Sequence, residues 1–320
     1  MAQIVKPALH RAIVQKWKLL DSMRPLPAAV LTNLRKVFRT EFTYNSNAIE
    51  GNTLTLRETQ LVIEEGQTIR GKSLREIYEA RNHPEAIEYV ESLANEERRL
   101  TEADILTLHQ IITKDVAEEE EVGRYRKGEV RIQGSKHVPP PAYDVPMLME
   151  DLVKVINDNP DDYTTVELAA ITLHRFVYIH PFNDGNGRVA RLLTNLVLMR
   201  KRYLPIVIPK IDRAKYLRCL ERADAGDYVP LVNFVSQCVI KHLDMALRAV
   251  EQKPGDRRLS LVEAAKMASV SSDYLRVLAN RGLIPATKEG RNWVVSERDM
   301  VEFVRSHTTK SEGGQPSEGP

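Results

Sequence analysis

Two apolar helical stripes that meet at a short glycine-containing loop constrain the fold of this chain more than any other stretch. Thr164 and Glu167 have the spacing of a capping box. From there Val166, Ala170, Leu173, Val177 and His180 recur at three- and four-residue steps, the period of a buried helix face. Pro181 has no N–H to give and should end that helix. Val189, Leu192, Leu193, Leu196 and Met199 then rebuild the stripe. Two consecutive helices with apolar faces call for a helical core, and they leave residues 184–187 as a loop at the start of the second.

That position has chemical consequences. The first N–H groups of a helix lack partners and carry partial positive charge, so they form an anion site. Gly185 and Gly187 allow the backbone to turn its N–H groups inward and leave room for phosphate oxygens. Arg188 and Arg191 add two forked donors from the first turn. Asp184 is a hard oxygen ligand of the kind that Mg²⁺ shares with phosphates. His180 has the unperturbed pKa best suited to taking a proton near neutrality. Alone, each residue has a structural explanation: a core histidine, a turn, solvated arginines. Together they point to a polyphosphate site beside a base. No G-x-x-x-x-G-K-[ST] run occurs, which excludes a P-loop as its source.

The run HPFNDGNGRVAR, residues 180–191, resembles the signature of the Fic-domain family, H-x-F-x-[DE]-G-N-G-R-x-x-R, at every fixed position. The resemblance implies an all-α, mainly helical fold with a short β-hairpin flap. It also implies a protein adenylyltransferase that moves AMP from ATP to a Ser, Thr or Tyr hydroxyl of a target protein or of itself, releasing pyrophosphate. His180 would be the general base, Asp184 the Mg²⁺ ligand, and Gly185, Asn186 and Gly187 the anion cradle. Arg188 and Arg191 would bind the β- and γ-phosphates, and Phe182 would anchor the loop. Gly187 stands where phosphorylating relatives carry lysine, which favours AMP transfer.

Upstream, Ser46-Asn47-Ala48-Ile49-Glu50-Gly51 resembles the inhibitory motif of the same family, [ST]-x-x-x-E-[GN]. Ser46 and Glu50 share a helix face, and Gly51 is a helix stop. By resemblance, Glu50 pairs with Arg191 in place of the ATP γ-phosphate, and its position before the signature marks the class with an N-terminal inhibitory helix. In some relatives the same glutamate helps remove AMP.

Residues 123–141 read as a hairpin, with Val130 and Ile132 alternating with charged residues and Gly134 at the turn. In the family this is the flap that lays a target segment alongside as an added strand. Ile132, Gly134 and Ser135 would touch the nucleotide, and Tyr216, Glu221 and Asp224 fall where relatives line the adenine and ribose pocket. Tyr216 reads equally well as a core aromatic. Glu79, Arg81 and Asn82 read as internal ion pairing and hydrogen bonding.

At 320 residues the chain should hold two units. The expected divisions are N-terminal helices over 1–110, the catalytic core over 111–250, a small domain over 256–306 and a disordered tail over 307–320. Cys219 and Cys238 form no paired pattern, which suits a reduced cytoplasmic protein. No apolar run approaches the ~20 residues of a membrane span, and no signal peptide is evident.

Beyond the linker Lys253-Pro254-Gly255-Asp256, Ser260 and Glu263 cap one helix, residues 273–281 form a second, and Gly282 closes it. Lys288 to Arg291 make a wing, and Ser296 and Asp299 open a last helix. The order resembles the winged helix-turn-helix of excisionase and MerR-like proteins. Arg276, Arg281, Lys288 and Arg291 would then meet DNA. Nine Lys/Arg stand against six Asp/Glu between Arg257 and Arg305, a thin footprint for duplex binding, so protein docking is an equal reading. Expected partners are ATP, a target protein on the flap, DNA or protein at the C-terminal module, and a second copy in a homodimer. The alternatives are a DNA-binding regulator with a nucleotide-sensing site, or an enzyme that mainly removes AMP.

Overall fold

A computed structural model describes residues 4–132, 134–251, 258–280, 284–289 and 292–308. The chain divides into two compact units, 1–250 and 251–320. The first is built from α1 (Pro7–Ser22), α2 (Ala28–Ile49), α3 (Leu56–Glu65), α4 (Leu74–Asn95), α5 (Glu102–Thr113), α6 (Val145–Asp158), α7 (Thr165–Ile179), α8 (Asn186–Arg200), α9 (Arg213–Asp224) and α10 (Val229–Glu251).

Local chemistry sets most of these boundaries. Reciprocal capping boxes start α3 (Thr55 with Glu58), α4 (Ser73 with Glu76), α5 (Thr101 with Asp104) and α7 (Thr164 with Glu167). Gly66 and Asn159 close α3 and α6 in the left-handed conformation. The capping carboxylate of Glu167 has a second task. Its Oε1 accepts from the N–H groups of Ile4 and Val5, which ties the N-terminal segment down.

α7 and α8 pack against each other, and α4 covers α8. Phe176, Phe182, Leu192, Leu193 and Leu196 lie buried where they meet, each side chain contributing about 1.5–3 kcal/mol. One continuous core extends from Val5 to Leu247. Residues 1–110 and 111–250 therefore share a single body, and the N-terminal helices are no separate domain. Ile13 and Leu20 bury α1 on that same core.

Over residues 123–141 the expected turn is present but the expected strands are not. Ser135 N–H donates to the Ile132 carbonyl at 3.1 Å around Gly134, whose φ is +76°. No strand is assigned in this segment among the described residues. It is held by side-chain bonds to the α7–α8 turn, described below, and not by a ladder.

The second unit carries β1 (Arg258–Ser260), α11 (Leu261–Ala268), α12 (Ser272–Asn280), β2 (Ala286–Glu289), β3 (Asn292–Ser296) and α13 (Glu297–Thr308). Its antiparallel sheet has the order β1-β3-β2, with Leu259 opposite Val295 and Thr287 opposite Val294. Ser260 and Glu263 form the anticipated capping box, and Ser296 Oγ accepts from Asp299 N–H at 3.0 Å. Leu259, Ala264, Leu275, Ile284, Val295 and Met300 make a separate small core. The linker 253–256, Arg281, Gly282, Gly290, Arg291 and the tail from 309 lie outside the described residues.

The first unit encloses several neutral imidazoles. Burial pushes His109 and His242 down to about 4 and His83 well below its ordinary value. Between pH 4 and 6.5 the unfolded chain therefore binds protons that the folded one refuses, so stability is fully present above pH 6.5 and is lost as pH falls. For His109 alone the upper bound is on the order of 3 kcal/mol. Urea unfolding at pH 7 and pH 5 is expected to show a lower midpoint at pH 5; equal midpoints would mean these rings protonate freely when folded.

Candidate active site

The loop between α7 and α8 is built by its own side chains. His180 ends α7 as a left-handed cap at φ +50°, one residue before Pro181, and Gly185 precedes α8 at φ +79°. Asn186 clamps the turn reciprocally: its Oδ1 accepts from Phe182 N–H at 3.0 Å, and its Nδ2 donates to the Phe182 carbonyl at 2.8 Å. Its amide is thereby spent on shaping the loop. Beneath, the His109 ring stacks on Phe182 at 3.6 Å. His109 Nδ1 accepts from Gly123 N–H at 3.0 Å, so Nε2 carries the proton and donates to the Asp184 carbonyl at 3.1 Å. Nothing in the linear pattern around His109 singled it out, because its role depends on α5 lying under the loop.

Arg188 and Arg191 are 1% and 3% exposed, not solvated as lone helix arginines usually are. Arg188 reaches Asp184 at 3.2 Å and Glu79 at 3.4 Å, yet its Nε and Nη1 make no directed hydrogen bond. A guanidinium buried with spare donors is built for an anion. Arg191 is fully engaged instead. It donates to Ser46 Oγ at 3.0 Å and the Ser46 carbonyl at 2.8 Å, and pairs with Glu50 at 2.8 Å.

Glu50 is the residue after the last turn of α2, and Gly51 follows it at φ +106°. Its carboxylate lies so close to the start of α8 that a Cβ on Gly187 would come within 2.1 Å of Oε1. The carboxylate thus holds the positive end of a helix dipole together with a buried arginine, the two features that attract a phosphate.

Asp184 Oδ1 accepts from Gly185 N–H at 2.6 Å, while Oδ2 meets Arg75 and Arg188. Burial raises its pKa, but Arg188, the Gly185 N–H and Arg75 outweigh that, and the net shift is downward. Glu79, on α4, ties Arg75, Arg188 and Asn52 together. Asn82 donates to the Ile112 and Lys114 carbonyls. Among the described residues no cluster of three His, Cys, Asp or Glu could hold a metal by itself. Mg²⁺ that travels with a polyphosphate usually takes one or two protein carboxylates, since phosphates and waters supply its other ligands. The donor set fits that use and no dedicated metal cage.

His180 Nδ1 lies 3.3 Å from the Val177 carbonyl, so that nitrogen carries the proton and Nε2 is left as the basic atom. Burial lowers its pKa against the raising effect of the Val177 carbonyl. Arg126, 3% exposed, staples the 123–141 segment to this turn. Its Nε donates to the His180 carbonyl at 2.9 Å, its Nη1 to Gly128 at 3.0 Å and its Nη2 to Pro140. His137 adds a contact to the Tyr178 carbonyl at 2.8 Å. Neither residue was marked by the sequence reading, which looked for strand alternation there.

The remaining predicted residues have partners of their own or face solvent. Ile132 is half-buried, Gly134 is exposed, and Ser135 Oγ accepts from His137 N–H at 3.1 Å. Tyr216 is buried beside Phe234, with its phenol pushed up to about 12, so it takes the core position. Asp224 accepts from His174 Nε2 at 2.9 Å, and Glu221 is exposed on α9.

Comparisons with known proteins agree with this geometry. The Fic/DOC family model matches residues 99–198, and a helix-turn-helix domain model matches residues 258–308. The protein adenylyltransferase Fic of Nematostella vectensis is 37% identical over 242 residues, covering 73% of this chain and 55% of its own length. The chain thus spans about half the length of the curated relatives it matches. A Fic domain-containing signaling protein from Bacteroides thetaiotaomicron superposes with a TM-score of 0.71 at 34% identity, over 76% of this chain and 99% of that one. Fic-1 from C. elegans gives 0.68 at 30% identity, over 76% and 72%. At 34% identity over almost the whole of the Bacteroides thetaiotaomicron protein, this chain belongs to the Fic/DOC family.

Proposed function

We propose that this chain is a protein adenylyltransferase held in check by Glu50. One observation carries the reading. The N-terminus of α8 and the buried Arg191 already hold an anion, the Glu50 carboxylate, beside a histidine whose Nε2 is left basic. ATP would place its β- and γ-phosphates on Arg188, Arg191 and the N–H groups of Gly187 and Arg188. Asp184 would hold Mg²⁺, which neutralises phosphate charge when bound. A target Ser, Thr or Tyr hydroxyl, presented along the Arg126-stapled segment, attacks the α-phosphorus. The new P–O bond forms as the bond to pyrophosphate breaks, and the hydroxyl proton passes to His180 Nε2. Positioning and charge neutralisation supply most of the rate.

The test uses full-length protein with Mg²⁺ and ATP labelled at either the α- or the γ-phosphate. Label from the α-position should remain on protein, with an intact-mass gain of one adenylyl group. Retention of γ-label would instead identify phosphorylation. Because burial lowers the His180 pKa, the neutral base persists below the ordinary imidazole value near 6.5. Single-turnover transfer should therefore fall to half its plateau only below pH 6.5. A rate already halved at pH 7 would place the base elsewhere.

The helix-turn-helix match supports a second role for residues 258–308 in duplex DNA binding. Arg276 is exposed on α12, although it is paired with Asp273 at 2.9 Å, and Lys288 sits over Trp293 on the wing.

A further inference from the structure

We propose that a cavity at the opposite end of α2 and α8 from the arginine cluster binds an alkyl chain carrying a single anionic head group. The cavity holds about 610 Å³, within the range of small-molecule sites. Leu26, Leu34, Phe38, Met199, Tyr203 and Met245 supply apolar walls, and Arg24, Arg35 and Arg202 stand among them with Glu91 as the one carboxylate. It is remote from the candidate active site. Met199 lies near the C-terminal end of α8, whose first residue is Asn186, so at ~1.5 Å per residue the two are ~20 Å apart.

Two of the arginines are forced together. Arg202 takes a left-handed backbone, φ +62°, and its carbonyl accepts from Arg24 Nη2 at 2.6 Å. Both guanidinium groups then reach the same Asp21 oxygen, at 3.5 Å and 3.1 Å. Neither pairing is a directed hydrogen bond to that atom, and Arg24 Nε is buried with no acceptor. One carboxylate shared by two arginines leaves a positive charge uncompensated, and burial together with Arg202 lowers the Arg24 pKa. An anion is the ligand that relieves this repulsion and satisfies Nε. The apolar walls behind the arginines suit a hydrocarbon tail. The head is a carboxylate or a phosphate monoester, which the forked donors accept alike.

The protein contains its own reporter. Trp17 stacks on Tyr203 at 5.6 Å, and Trp293 is the only other tryptophan. Full-length Trp293→Phe protein is titrated with dodecanoate, dodecyl phosphate and dodecanol, all below their aggregation limits, with Trp17 fluorescence as readout and calorimetry for stoichiometry. The expected result is saturable one-to-one binding of dodecanoate or dodecyl phosphate, with the tighter of the two naming the head group. Dodecanol should bind at least about tenfold more weakly, and Arg35→Glu, an exposed change, should weaken the anions by about tenfold. Three outcomes overturn the proposal. They are non-saturable binding, equal affinity for dodecanol, or sedimentation showing a dimer that Arg35→Glu dissociates, which would assign the cavity to a second copy. Because the readout is fluorescence, failure here leaves the adenylyl-transfer reading untouched.

Discussion

Glu50→Gly protein is expected to incorporate AMP at least about tenfold faster than the parent chain at the same ATP concentration. The size follows from what the carboxylate holds. A hydrogen-bonded pair with a charged group contributes roughly 1.5–3 kcal/mol, which would keep an open state to about a tenth or less of the population. The Glu50 side chain is 40% exposed, so solvent screening selects the lower end of that range. Removing it frees Arg191, which keeps its bonds to Ser46, and clears the face of Gly187 that the carboxylate covers. Glycine follows glycine there, and the substitution falls outside the last turn of α2, so the fold should tolerate it. Intact mass after timed Mg²⁺-ATP treatment measures the gain. An unchanged rate at both low and saturating ATP would show that the Arg191–Glu50 pair is a structural tie and no brake.

Adding His180→Ala to that variant should remove the gain and lower transfer by about 10²–10⁴-fold, the usual contribution of a positioned general base. The comparison is clean because His180 contributes little to the loop through its ring. The imidazole makes one long contact to Val177, whereas Arg126 grips the backbone carbonyl, which alanine retains. The strain of a left-handed non-glycine residue at 180 persists in the variant and costs of order 1 kcal/mol, so unfolding should be measured alongside. ATP affinity should survive, since the phosphate donors lie on α8 and the loop. Retained adenylylation in a folded double variant would take the base role from His180. Lost ATP binding would assign the ring to the phosphate site.

Much of the candidate site could be proposed in one dimension because its parts are contiguous. Asp184, Gly185, Gly187, Arg188 and Arg191 fall within eight residues, so the turn and the first turns of α8 bring them to one end of that helix. The partnership of Glu50 with Arg191 came by family resemblance, and the structure supplies its geometry: α2 crosses α8 at Ser46, placing the carboxylate over Gly187. The flap reading failed in part, since alternation in a short polar segment does not secure a strand without a neighbouring edge. Arg126 and His137 hold that segment instead, through carbonyls of a turn some 40 to 55 residues away in sequence.

The sequence by itself determined the helical architecture, the C-terminal helix-turn-helix module and the turn between α7 and α8, because capping, periodicity and glycine placement act over a few residues. Only the tertiary structure decided which groups surround that loop. His109 beneath Phe182, Glu79 between two arginines and Arg126 across residues 126–140 each join separate elements. Local pattern carries no record of such pairs, since burial and electrostatic fit between helices arise only when the chain packs on itself.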